Sequence, residues 1–413
     1  MVSIATDLDE QLPWRDGNQI TLLCNGADFF PAVCKAIDMA RVSVHLETYI
    51  FNLDITGMCI LDHLAQACLR GVRVRLVVDG FGSARQIPFL EIHCQRMGAH
   101  LRIYRREPVG LDRKHFSLAR LRRLHRKTLT TDGQVAFVGG LNVLDDYVDI
   151  PDTGPGAKPR FDFAVRLEGP IVRDIVYAQR VLWIRLSWRR KEDTSALYLR
   201  IKRLLVWVQQ KNLPVPPVFH PGRRAVLLLR DNVRFRQTIE QVYLNTIARA
   251  HMGIVVANAY FFPGRRLRQA LIHAARRGVR VRLLLQGRPE YPMQYRACRY
   301  TYEALMDHGV ELYEYTASYL HAKVAVIDDY AMVGSANMDP FSLLLAREAN
   351  VYIHDAPFAN NVLIALEHAM DQHAVRVTTE HLQRRSWWVR LADWFAYHVL
   401  RAGVALTGRS ADY

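Results

Sequence analysis

Arg70-Gly-Val-Arg-Val-Arg-Leu76 is spelled a second time, letter for letter, at Arg277-Gly-Val-Arg-Val-Arg-Leu283. Working outward, each copy follows a helix-like stretch, Ile60–Leu69 in one case and Leu267–Arg276 in the other. Each stretch ends at a glycine, Gly71 or Gly278, where a left-handed cap is expected. Further upstream lie two strand-like runs, Val42–Phe51 and Ile254–Phe262, and before them two more helical patterns, Phe30–Ala40 and Ile239–Ala250. The order helix, strand, helix, strand therefore occurs twice, and predicts two related α/β halves with mostly parallel strands. Pro214, Pro216, Pro217 and Pro221 break regular structure in the join around Lys202–Pro221. The expected division is 20–205, 222–375 and a tail over 376–413.

Downstream of each RGVRVRL comes a second shared segment. Leu124-His-Arg-Lys-Thr-Leu-Thr-Thr-Asp132 matches Leu320-His-Ala-Lys-Val-Ala-Val-Ile-Asp328, and Gly139-Gly-Leu-Asn142 matches Gly334-Ser-Ala-Asn337. The first copy has a turn one residue longer, where Asp132-Gly133 signals a hairpin. On a strand, positions i and i+2 face the same way. His125 and Lys127 thus share a face, as do His321 and Lys323, while Arg126 points away. The strand Gln134–Val138 should bring Gly140 and Asn142 beside that face, with Ser335 and Asn337 their counterparts. Gly140 and Ser335 are expected to leave room and backbone N–H groups for a phosphate oxygen.

Two such halves facing across a pseudo-twofold axis would gather two imidazoles, two ammonium groups and two carboxamides around one pocket. That set suits a phosphodiester. One histidine can attack phosphorus while the other protonates the leaving alcohol and later deprotonates the incoming one. The lysines would neutralise the phosphoryl oxygens, and imidazole serves both roles because its ordinary pKa is ~6.5. Neither a metal nor another cofactor is required, and the sequence holds no HExxH and no clustered Cys/His ligand set. One HxK on a strand is ordinarily a solvated polar face. Two copies, each inside a larger repeat and each trailed by matching glycine and asparagine, point to chemistry. Asp132 and Asp328 fall at hairpin turns, where aspartate commonly binds its own backbone, and read as structural more than chemical.

Composition sets the limits on partners. The chain has 413 residues, half of them hydrophobic, with a formal net charge of +15. A disordered chain is excluded, and a polyanionic partner, lipid or nucleic acid, is expected. Cys24, Cys34, Cys59, Cys68, Cys94 and Cys298 make no CxxC pair and read as small buried hydrophobes in a reducing compartment. Met1 leads into Asp7, Asp9 and Glu10, so no secretory leader is expected, and no apolar run reaches the ~18–20 residues of a spanning helix.

HxKxxxxD followed by GGxN or GSxN, twice in one chain, resembles the phospholipase D superfamily. The likeness spans nearly all of residues 20–375, with the two motifs inside 119–146 and 315–342. It implies two α/β halves packed as a pseudo-dimer around one active site. His125, Lys127, Asp132, His321, Lys323 and Asp328 then become the catalytic motif residues, with His125 as nucleophile. Gly140, Asn142, Ser335 and Asn337 line the phosphate pocket. The family also places a carboxylate behind each histidine; Glu348 fits in the second half and Asp162 in the first. His45–Phe51, Arg166–Pro170, Asn258–Gly264 and Gly334–Pro340 are similar to the bacterial cardiolipin synthase branch, in its shorter B-type without N-terminal spanning helices. Thr48 and Leu129-Thr-Thr131 depart from that branch's usual wording, away from the catalytic face. The resemblance implies transfer between two phosphatidylglycerols through a phosphohistidine, giving cardiolipin and glycerol at the inner membrane of a bacterial cell.

Three segments independently suggest an anionic phospholipid membrane, with the protein peripheral to it. Arg113–Leu124 is basic with interleaved apolar residues, and Trp183–Trp207 mixes tryptophan, leucine and basic side chains. The tail sets Trp387, Leu391, Trp394 and Phe395 at helical spacing with Arg384, Arg385, Arg390 and Arg401 elsewhere, the pattern of an interfacial anchor. A helix packed on its domain through that stripe is the plainer alternative. Hydrolysis instead of transfer, a nuclease of the same superfamily and a non-catalytic lipid scaffold are the competing functions. The tryptophan-rich tail argues against nucleic acid, and the intact histidine–lysine pairs argue against a scaffold.

Overall fold

The computed structural model describes residues 11–107, 122–187 except 153 and 155, and 222–405 except 232–234. The first half runs β1 (Arg15–Cys24), α1 (Asn25–Met39), β2 (Ser43–Thr48), α2 (Ile55–Leu69), β3 (Arg73–Asp79), α3 (Ile87–Met97), β4 (His100–Tyr104), β5 (Lys127–Thr131), β6 (Val135–Gly139), β7 (Phe163–Glu168) and α4 (Ile171–Ser187). The second half repeats it as β8 (Arg223–Arg230), α5 (Thr238–Arg249), β9 (Gly253–Asn258), α6 (Arg265–Arg276), β10 (Arg280–Gln286), α7 (Pro292–Tyr300), α8 (Tyr302–Met306), β11 (Glu311–Tyr315), β12 (Lys323–Ile327), β13 (Tyr330–Gly334), β14 (Glu348–His354) and α9 (Ala356–His373). A short β15 (Ala374–Arg376), α10 (Thr379–Gln383) and the long α11 (Trp387–Ala405) close the described chain.

The strands form one 15-stranded sheet in the order 15-11-10-9-12-13-14-8-1-7-6-5-2-3-4. Apart from β15 the order is a palindrome about the β8–β1 junction, so the duplication read from RGVRVRL is a pseudo-twofold axis in space. Parallel pairing is confined to β2–β3–β4 and β9–β10–β11. The strands between them pair antiparallel, which corrects the expectation of mostly parallel strands. Helical crossovers enforce parallel order only where helices intervene; the segments bearing the histidines are joined by tight turns, which antiparallel strands permit. Gly71 and Gly278 have φ of +83° and +89°, the left-handed conformation that stops each helix before its RGVRVRL strand.

Three apolar clusters hold the layers together. One lies under α1, α2 and α3 and another under α5, α6, α8 and α10. The third joins the halves: Val138, Val165 and Leu167 of β6 and β7 pack with Val324, Val333 and Val351 of β12 to β14, roofed by α9 and by Ile171 and Ile175 of α4. This shared core fixes one half against the other. Beyond it, the first half carries a buried polar layer whose register counterparts in the second half are apolar among the described residues. Arg126 forks onto Glu47 and the Ala178 carbonyl, and Gln179 bonds Thr128, Thr130 and the His45 carbonyl. By register, Glu47 and Thr128 correspond to Ala257 and Val324, and Arg126 to Ala322.

Only Cys94 and Cys298 are buried and Cys59 is exposed, so the expectation of uniformly buried thiols is corrected. Residues 113–121 and 188–207 lie outside the described residues, and with them most of two expected membrane segments. Trp183 is not at a surface: it is nearly buried against Leu124 and Leu182, with Arg75 and Arg102 over its ring. Among the described residues no helix is long and apolar enough to cross a membrane.

Candidate active site

Each histidine precedes the first residue of a hairpin strand, held by a bridge to the opposite half. The N–H groups of His125 and Arg126 donate to the Arg347 carbonyl at 3.0 and 2.8 Å, and that of His321 to the Phe161 carbonyl at 2.8 Å. One residue earlier, the Leu124 N–H is taken by Asp79 Oδ2 at 2.7 Å and the Leu320 N–H by Gln286 Oε1 at 2.8 Å. Asp79 and Gln286 end the parallel strands β3 and β10, so the site forms at the carboxyl ends of those strands, where open α/β sheets ordinarily bind ligands.

The carboxylates cross over. Glu348 of the second half meets His125 of the first, with Nδ1 at 2.9 and 3.1 Å from its two oxygens. Asp162 of the first half meets His321 of the second at 2.6 Å. Both carboxylates are buried, and holding Nδ1 directs each Nε2 away from its carboxylate. Lys127 and Lys323 donate to the carbonyls of His125 and His321. An ammonium has three protons, so two remain for a ligand. The lysines feel each other and both carboxylates, and the charge of Lys127 and of His125 reaches His321. Two segments nearly two hundred residues apart thus converge on one pocket.

Burial dominates the electrostatics. It lowers His125 below its usual pKa, with Glu348 opposing and Lys127 assisting. His321 is driven well below, by burial first and then by Lys323, Arg160 and Lys127. Burial also pulls Lys127 down to about 7, against Glu348, and Lys323 down to about 8, against Asp162. Asp162 is pushed up to about 7 by burial, with Lys323 opposing. A phosphodiester beside Lys127 and Lys323 would favour their charged forms.

The other expected residues divide into two groups. Asn142 accepts from the Ile50 N–H at 3.2 Å and is buried. Asn337 is buried too, and its Oδ1 finds no donor among the described residues. The Ser335 hydroxyl donates to Glu348 Oε2 at 2.6 Å, buttressing the carboxylate that holds His125. Gly140 does the corresponding work by being small, since a Cβ there would lie 2.2 Å from Asp162 Oδ1. The expectation that Gly140 and Ser335 offer N–H groups to phosphate is corrected: these N–H groups donate to the Phe163 and Ala349 carbonyls. Asp132 and Asp328 stand at the opposite ends of their strands. Each takes three backbone N–H groups, of Arg41, Val42 and Ser43 at 2.8 Å and of His251, Met252 and Gly253 at 2.9 Å. With φ of 54° and 50°, they tie the hairpin to the preceding helix–strand loop and do not reach the histidines.

Sequence reasoning overlooked several neighbours. The Tyr49 ring meets His125 edge-on at 5.0 Å, with Lys127 Nζ 5.4 Å from its centroid. Arg160 faces Glu290 of the other half at 3.8 Å, and Glu290 accepts the Tyr260 hydroxyl at 2.7 Å. Asn350 Oδ1 accepts the Ser335 and Ala336 N–H groups at 3.2 Å. The one available signal was that Tyr49 and Tyr260 follow the repeated strands; the rest depends on how the halves face each other.

A duplicated α/β fold with paired His–Lys sets and crossed carboxylates defines a phospholipase D-like phosphodiester enzyme. The chain belongs to the family described as Cardiolipin synthase, PLD-like domain, which matches residues 33–149 and 243–370. It is 38% identical over 404 residues to cardiolipin synthase B of Escherichia coli K12, and 37% identical over 404 residues to that of Salmonella typhimurium. Each match covers 96% of this chain and 91% of the relative. Among solved structures it resembles the phosphatidylserine synthase of Haemophilus influenzae, with a TM-score of 0.68 at 15% identity, covering 98% of this chain and 99% of that one. That likeness bears on the fold.

Proposed function

We propose that the chain is a cardiolipin synthase that transfers a phosphatidyl group from one phosphatidylglycerol to another. The observation that carries this is the crossed pairing, in which each imidazole is oriented by a carboxylate of the opposite half beside two lysines. With Nδ1 on Glu348, His125 Nε2 attacks phosphorus; the bond to the headgroup glycerol oxygen breaks, and His321 supplies that oxygen with a proton. The phosphatidyl group is then held on His125. His321 takes the proton from a hydroxyl of the second phosphatidylglycerol, whose oxygen displaces the histidine and leaves cardiolipin. Lys127 and Lys323 stabilise the phosphoryl oxygens, and Asn142 and Asn337 line their seat. Asp162, Glu348, Gly140 and Ser335 position the rings, while Asp132 and Asp328 anchor the hairpins.

The enzyme would work peripherally on the anionic inner membrane. α11 supports this with two different faces. Ala396, Tyr397 and Val404 are buried, and Asp393 pairs with Arg296 and Arg385. Trp387, Trp388, Leu391, Trp394 and Phe395 are exposed, so the aromatic stripe is not what packs the helix on its domain. Arg385, just before α11, reaches Asp393 on the packed face and not the lipid side. Exposed tryptophans on an amphipathic helix suit the headgroup layer.

The test is incubation with phosphatidylglycerol vesicles and chromatography of the lipids. Cardiolipin with an equal amount of free glycerol is expected. Phosphatidic acid alone would mean hydrolysis, and cleavage of oligonucleotides without lipid turnover would favour a nuclease.

A further inference from the structure

The absence of a clustered Cys/His set in the sequence does not survive folding. α1 and α2 pack side by side in the outer layer of the first half. Cys34 and Asp38 stand one turn apart on α1, and Cys59 and His63 one turn apart on α2, so each pair shares a face. The Cys34 and Cys59 sulfurs and a ring nitrogen of His63 all lie within 4.8 Å of one another. Asp38 Oδ1 is 2.7 Å from His63 Nδ1.

We propose that Cys34, Cys59 and His63 bind a thiophilic metal ion, zinc(II), with Asp38 orienting the imidazole. Two thiolates and one imidazole are the ligand types zinc selects, at about 2.3 Å for sulfur and about 2.0 Å for nitrogen. Tetrahedral coordination sets such ligands about 3.5–3.8 Å apart, a closure of about 1 Å that rotation of the exposed Cys59 side chain can supply. Asp38 on Nδ1 presents Nε2 to the metal, the carboxylate–histidine arrangement that recurs around zinc. Cys34 is half buried against the first-half core, whereas Cys59 faces an open recess also lined by Asp54, Met58 and Asp62. The ion therefore has a closed inner wall and an open route in. Its fourth position faces that recess.

The duplication supplies an internal control. Counting from the shared Ala40/Ala250 and Arg70/Arg277, the positions of Cys34, Asp38, Cys59 and His63 are Leu244, Ala248, Arg266 and Ala270 in the second half. The same helix pair folds there without any of the four, so the fold does not require them at these positions. The site shares no residue with the phosphodiester chemistry and does not depend on that reading.

The reduced full-length chain titrated with cobalt(II), and then with zinc(II), tests this. One metal per chain is expected, with a thiolate-to-cobalt charge-transfer band, tetrahedral visible bands and about two protons released on binding. Cys59→Ser should abolish the band and weaken zinc at least tenfold, while Asp38→Asn should keep the band and weaken zinc about 10- to 100-fold. Zinc should raise the melting temperature of the parent but not of Cys59→Ser. The band also separates this site from binding at the catalytic histidines, which have no thiol beside them among the described residues. Equal zinc affinity in parent and Cys59→Ser, or a reduced parent without the band, would overturn the proposal. So would a Cys34–Cys59 disulfide that forms as fast with zinc as without it.

Discussion

Replacing Gly140 by alanine should disable the enzyme through a residue that touches no substrate. The added Cβ would sit 2.2 and 2.5 Å from the two oxygens of Asp162, so the carboxylate must retreat by about 1 Å to reach ordinary contact. It has nowhere neutral to go. Asp162 Oδ1 accepts the Phe163 N–H at 2.8 Å and Oδ2 holds His321 at 2.6 Å, in a buried setting. Movement breaks at least one of these bonds and frees the ring that handles the leaving-group proton. A misplacement of about 1 Å costs about 100-fold in rate, which is about 2.7 kcal/mol of transition-state stabilisation. Overpacking should lower stability by a further ~1–3 kcal/mol. Release of glycerol from phosphatidylglycerol vesicles gives kcat and KM, and a thermal melt confirms that the variant folds. The fall should appear in kcat, with KM little changed. Asp162→Ala should be poor by itself, but Gly140→Ala added to it should lower activity no further, because the clash is gone. A folded Gly140→Ala enzyme within threefold of the parent would refute the reasoning, and so would additive losses in the double variant.

Further outcomes follow from the same geometry. His125→Ala should leave no lipid phosphate bound to protein in an alkaline quench; a covalent adduct lost instead in His321→Ala would exchange the two roles. Lys127 and Lys323 titrate at about 7 and about 8 without substrate, and each loses its charge above its value, so kcat/KM should fall as pH rises through 7–8. The corresponding limb of kcat should lie higher, since bound phosphate favours the ammonium; coincident limbs would count against the lysines as phosphate ligands. Glu47→Ala leaves Arg126 buried and unpaired, at about 3–5 kcal/mol by urea unfolding, whereas Glu47→Ala with Arg126→Ala copies Ala257 and Ala322 and should recover most of it. Trp387→Ala, Trp394→Ala and Phe395→Ala together should reduce sedimentation with anionic vesicles about tenfold, or ~1.4 kcal/mol, with the melting temperature unchanged; unaltered sedimentation would remove α11 from the membrane contact.

The halves, the helix–strand order and the paired faces of His125 with Lys127 and His321 with Lys323 were legible because a repeat reports itself by comparison within one chain. Residue spacing pointed to a structural role for Asp132 and Asp328 but not to its partners: each was expected to bind its own turn and instead holds the backbone of a helix–strand loop some 75 to 91 residues earlier. Strand direction was not legible. β1 and β8, which form the junction between the halves, lie outside the repeated words and alternate too weakly to announce themselves. The partners of the two carboxylates were hidden for a deeper reason. Glu348 lies near Ser335 in sequence and Asp162 near Gly140, and both relations hold in space, but which histidine each serves depends on how the halves face each other. The Cys34–Cys59–His63 cluster escaped for the same cause, because its ligands come from two helices.

That crossing says why the duplication has been kept as a single sheet. A half taken by itself would hold an imidazole with no carboxylate on Nδ1, and a buried carboxylate with no imidazole. Burial of either alone is unfavourable, since an unpaired charged group in the interior costs several kcal/mol. Bringing the halves together satisfies both at once and orients both rings in the same step. The shared core of β6, β7, β12, β13 and β14 drives that union through fully buried valines, beside the β1–β8 pairing and the Arg223 bond to the Ile20 carbonyl. Association and catalytic geometry are therefore one event: the apolar core sets the distance between halves, and the crossed carboxylates make only one register of that contact free of stranded charge.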